Sequence, residues 1–162
     1  MHRSVLVAAG LGLALASARA AAADCEPKGK PIFVREILPI SVVPDAPPSD
    51  RLSIYPSGAW VSEVPGHEPA RGCAAPALRR AIAREVGRAR FRFVRGPVAT
   101  CAALPTSRTR FAAPRRGKDI TTEQPCGVPL DASTARLVAC AALVLQSTPP
   151  TAADVRARCD GR

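Results

Sequence analysis

The chain is 162 residues long with a formal net charge of +10, and it carries six cysteines, 17 prolines, four Phe, one Tyr and one Trp. That length suits one domain and leaves no room for a second large core, and the thin aromatic inventory makes Ala, Val, Leu and Ile the main packing material. There is no Cys-x-x-Cys, no histidine pair at helical spacing, no acidic calcium loop and no glycine-rich phosphate loop, so the sequence offers none of the common metal or nucleotide motifs and no cofactor is expected.

Met1-His2-Arg3 is a short positive start, residues 4–17 are apolar, and small residues follow through Ala23. This pattern predicts a cleavable signal peptide over 1–23, because a membrane span needs roughly 20 apolar residues and this stretch is shorter. Cys25 follows Asp24 rather than a small residue, which argues against a lipid anchor. Loss of Arg3 and Arg19 leaves a mature charge of about +8. The expectation is a bacterial-type exported protein, periplasmic or extracellular, with residues 24–162 forming one secreted domain and no membrane span after cleavage. All six cysteines, Cys25, Cys73, Cys101, Cys126, Cys140 and Cys159, lie beyond the signal, and an even count in an oxidising compartment predicts three disulfides. Cys101 with Cys126 is the favoured pair, since the segment between them reads as a hairpin. The other four stay open.

Pro31–Arg35 and Ile40–Val43 are β-branched runs punctuated by prolines, which predicts one or two short strands at a sheet margin. Arg51–Tyr55 and Ala59–Glu63 flank Pro56-Ser57-Gly58, the best hairpin signal in the chain. Pro65-Gly66 and Arg71-Gly72 bracket an expected loop. Leu78, Ile82 and Val86 then recur every four residues, predicting an amphipathic helix with Pro76 in its first turn and Gly87 near its end. Residues 88–95 alternate Arg with Ala or Phe, which reads as a half-buried strand. Residues 106–113 and 119–123 form a second predicted hairpin around Pro114–Gly117. Asp131 can cap a helix over 132–146 whose apolar run, Leu137–Leu145, makes it the most buried element, and Thr151 with Asp154 opens a last short helix toward Cys159.

Strands, helix, strands, helix is the order of an α+β domain, here a small antiparallel sheet with two main helices on one face, stapled by disulfides. The chemistry within it is sparse. His67 stands in a loop without identifiable catalytic partners, no cysteine is left over from three pairs, and a noncatalytic protein is expected. Charge is the distinctive feature: between Arg79 and Lys118 there are 12 basic residues and one acid, Glu85. If the strands at 88–95 and 106–113 are neighbours, Arg88, Arg90, Arg92, Arg108 and Arg110 form one cationic face able to hold phosphates or carboxylates.

Leu52 to Trp60, then Gly72-Cys73, the Leu78/Ile82 helix and the Cys101 to Cys126-Gly127 segment resemble small uncharacterised exported bacterial domains with a glycine hairpin followed by a helix. More broadly, the layout is similar to small hairpin-plus-helix proteins, some of which inhibit secreted proteases. That resemblance implies rigid loops at Pro65–Arg71 and Pro114–Lys118 as insertion points. It carries over no functional residue. The functions in view are therefore a noncatalytic binding module and, as alternatives, a secreted protease inhibitor, a polyanion-binding protein and, last, a hydrolase working with His67, with an unknown protein or anionic polymer as partner.

Overall fold

The computed structural model describes residues 25–39, 47–94, 107–115, 118–124 and 128–160, so the signal-peptide segment, Cys101 and Cys126 lie outside the described residues. Six strands form one antiparallel sheet: β1 (Phe33–Pro39), β2 (Asp50–Ile54), β3 (Ala59–Glu63), β4 (Ala70–Cys73), β5 (Ser107–Arg115) and β6 (Lys118–Gln124), in the order β4-β3-β2-β1-β5-β6. The helices are α1 (Pro76–Arg88), α2 (Ala132–Ala141), continued by a 3-10 turn at Ala142–Leu145, and α3 (Ala152–Val155), which widens into a π-type turn at Arg156–Asp160. The chain is α+β, as its pattern of elements predicts.

The β2–β3 hairpin follows its local chemistry. Tyr55 and Ala59 pair, Pro56 enters the turn, and Gly58 takes φ +91°, the left-handed geometry that a three-residue hairpin loop requires. Period-two alternation then sends Phe33, Leu52, Ile54, Trp60, Phe111, Ala113 and Ile120 to one face, where they meet Leu78 and Ile82 of α1 and Leu137, Ala141 and Leu143 of the α2 region. Phe33 and Phe111 lie diagonally across β1 and β5 with ring centroids 6.4 Å apart. A core built from one sheet face and two helices gives each element an apolar partner, which is the dominant stabilising term.

Two expectations change. β1 is not a marginal strand: it pairs with β2 on one side and β5 on the other. Its body, Phe33–Leu38, contains no proline, so both edges can donate; Pro39 stands at its end, and residues 40–43 fall outside the described residues. Of the predicted strand at 88–95, the described residues 88–94 do not form one. Arg88 ends α1, Phe91 has φ +52°, and the segment touches the strand pattern only through an isolated bridge between Phe93 and Leu130.

The reason lies at the start of α2. Three successive amide donors of this segment are captured by side chains there: Arg90 N–H by Ser133 Oγ at 3.1 Å, Phe91 N–H by Thr134 Oγ1 at 2.9 Å and Arg92 N–H by Asp131 Oδ2 at 3.1 Å. Asp131 also accepts from the backbone N–H of Ser133 and Thr134 as the helix cap. Burial raises the Asp131 pKa, but hydrogen bonds from Ser133 and Thr134 and from the Arg92 and Ser133 amides outweigh it and hold the carboxyl well below its usual range.

Candidate functional site

The expected cationic face divides between two layers. Arg88 sits at the end of α1 and bonds Glu85 at 3.0 Å, while Arg90 and Arg92 lie on the clamped segment beside α2. Arg108 and Arg110 project from the sheet face opposite the helices, with Arg110 bonded to Glu36 at 2.6 Å and Arg108 to Glu123 at 3.1 Å. On that face the register lines up Glu63, Arg51, Glu36, Arg110 and Glu123 across five strands, so charge alternates from strand to strand. Opposite charges facing each other on a sheet stabilise the pairing and consume the cations. The segment's excess positive charge is therefore partly neutralised by acids that are distant in sequence.

Two disulfides are present among the described residues, Cys25–Cys73 and Cys140–Cys159, and no described cysteine is free. They fit a non-reducing compartment. The favoured pair, Cys101 with Cys126, lies outside the described residues. His67 lies exposed in the turn between β3 and β4, closed by its N–H to Val64 O at 3.0 Å. Among the described residues no group of three or more His, Cys, Asp or Glu side chains is placed to hold a metal, and no helix is long and apolar enough to cross a membrane.

The surface feature that stands apart is a cleft of about 390 Å³ at the seam between β4 and the helical layer. Its walls include Trp60, Leu78, Leu143, Val144, Pro149 and Pro150, and no charged side chain lines it. In a chain of net charge +10 that composition is local and specific. Trp60 is placed by an unusual cross-strand pair. It faces Gly72, and a Cβ at position 72 would stand 2.5 Å from the indole, so only glycine lets the ring lie across β4. A second cleft of about 200 Å³ lies along the same strand, walled by Cys25, Pro27, Ala59, Val61 and Arg71. The two clefts share Trp60, Gly72 and Cys73, and thus meet at β4.

The turn signals at Pro65-Gly66 and Arg71-Gly72 predict a loop, whereas Ala70–Cys73 forms β4. Ala70-Arg71-Gly72-Cys73 contains no β-branched or aromatic residue, so strand propensity is silent there. One signal was available: Pro65-Gly66 lies midway between Trp60 and Gly72, and Gly66 has φ +80°, as expected at a turn. No family model matches the sequence, and no curated protein or solved structure matches it.

Proposed function

We propose that the protein is a noncatalytic binding module of a non-reducing compartment, and that it holds a partner protein at the Trp60 cleft. The observation that carries this reading is the uncharged, apolar cleft on an otherwise strongly basic chain, since concave apolar surface left open to water gains most from a partner that covers it. Support comes from the scaffold around it. Cys25–Cys73 fixes β4 at one wall, and Cys140–Cys159 ties α2 to the last turn next to Leu143 and Val144. A preformed surface loses little entropy on binding.

Trp60 is the chain's only tryptophan, so its fluorescence reports on the cleft directly. A saturable shift in Trp60 emission on adding apolar peptides, abolished by Ser147→Asp, which puts a charge on an exposed cleft residue outside the core, is the expected result. Binding of peptides that leaves Trp60 emission unchanged would move the site elsewhere.

A narrower reading is inhibition of a secreted protease. Residues 63–71 are all exposed and lead directly into the disulfide-fixed β4, an arrangement that presents a loop with little ordering cost. The check is saturable inhibition in a panel of secreted proteases that disappears on cleavage between Gly66 and Pro69. No effect across the panel removes this reading and leaves the broader one intact.

A further inference from the structure

β4 is an end strand of the sheet, with β3 on one side and no strand on the other among the described residues. Ala74 N–H bonds Gly58 O at 2.9 Å, which fixes the alternation of the ladder. Ala74, Gly72 and Ala70 direct their backbone groups toward β3, and Arg71 and Cys73 direct theirs away from the sheet. An unpaired row of this kind is a template for another strand. At the opposite end, β6 carries Asp119 and Glu123, and Lys30 pairs with Asp119, so charge guards that edge. β4 has only Arg71, which makes no ion pair among the described residues.

Resting on the binding-module reading, we infer that a partner protein adds an extended segment to β4 as a further strand. Its side chains alternate between the two clefts, with an apolar residue opposite Gly72 and an acidic residue opposite Arg71. The alternation follows from strand geometry. Successive side chains of an added strand point to opposite faces, and β4 has a cleft on each: the uncharged one on the helical face beside Gly72, and the smaller one on the other face beside Arg71. The outward backbone groups of Arg71 and Cys73 supply affinity that is independent of sequence, and the clefts supply selectivity. A second copy of this chain fits less well, because two edges meeting here bring Arg71 toward Arg71 in molecules that each carry +10.

The probe is an acetylated, amidated hexapeptide of alternating leucine and aspartate, titrated into the full chain by Trp60 fluorescence. Arg71→Gln removes the charge alone and is expected to weaken binding about threefold, whereas Arg71→Pro also removes the outward N–H without disturbing the inner ladder and is expected to cost about tenfold more. Two further peptides keep every side chain and carry N-methyl groups on the leucines or on the aspartates. Only one of them is expected to lose binding, because only one alternate set of amides faces β4. This arm uses the unaltered protein and stands even if Arg71→Pro does not fold.

Equal binding by both methylated peptides, or equal affinity of the Pro and Gln variants, would overturn strand addition while leaving occupation of the cleft in place. Failure of the hexapeptide to change Trp60 emission up to about 1 mM, a concentration at which even a weak site fills, overturns it as well, and apolar peptides that do shift Trp60 then preserve the broader reading. Self-association of the peptide-free chain that Arg71→Pro abolishes would overturn the partner segment in favour of a second copy.

Discussion

Asp131, Ser133 and Thr134 do two tasks with three short side chains: they start α2 and they bind the amides of residues 90–92. Thr134→Val keeps the shape but leaves the buried Phe91 N–H without its acceptor, and urea unfolding is expected to show a loss of about 1–3 kcal/mol. Asp131→Ala removes the cap, at about 1–2 kcal/mol. The Asp131 carboxyl is held below its usual value of 3.8 in the folded protein, so its contribution to stability is full above about pH 4 and is lost as pH falls further. Asp131→Asn is therefore expected to flatten the acid limb of the stability curve, measured by urea midpoints between about pH 7 and pH 2.5. Glu36 is the corresponding pivot on the sheet. It is 8 % exposed and lies between Arg51 and Arg110, so Glu36→Ala removes the shared partner of two guanidinium groups that still reach water, with an expected cost of about 1 kcal/mol. Gly72→Ala pushes the Trp60 indole off β4, which is expected to red-shift its emission even without a partner.

Among the elements, those specified by their own residues were legible in the sequence. Pro56-Ser57-Gly58 dictates its turn wherever it stands, and the Leu78/Ile82 spacing gives α1, although the buried stripe runs through Ala81 and Glu85 and leaves Val86 half-buried. A helical period of 3.6 drifts from a strict spacing of four, and the third member of a four-residue series falls to the margin. The fully buried Glu85 is then surrounded by Arg84, Arg88 and Arg136. Elements fixed from outside were not legible. Residues 88–95 alternate as a strand does, but their donors are taken by side chains about 40 residues later, and no local pattern records that. β4 is a strand because the turn at Gly66 returns it to β3 and Trp60 covers it, while its own residues have no strand preference. The candidate site was not legible for the same reason: the sequence marks Trp60 only as a residue of the hairpin strand, and the glycine that seats it reads as loop. At this scale the Cys140–Cys159 bridge is the firmest brace of the helical layer, closing a separation of 19 residues between two fully buried sulfurs. Replacing both cysteines by alanine is expected to lower stability by about 2–4 kcal/mol in thermal or urea unfolding.

For the whole molecule, charge and topology pull together two distant parts of the chain. The row Glu63, Arg51, Glu36, Arg110 and Glu123 joins residues from both halves, and its weakening by salt is expected to be modest because Glu36 is shielded from solvent. The strands β1 to β4 follow one another in sequence and pair as neighbours, so this meander can assemble as soon as its residues are available. β1 is different. Its second edge waits for β5, which arrives only after β4 and α1 have been made. A chain in which β1 has met β2 but not β5 would present a strand with an apolar face, including Phe33, and a row of unpaired amides. Such an intermediate is a site for misassembly between molecules. Refolding yield is therefore expected to fall with protein concentration during the interval before β5 docks. The strand in the middle of the sheet is thus the one whose two edges are supplied by a near and a distant part of the chain.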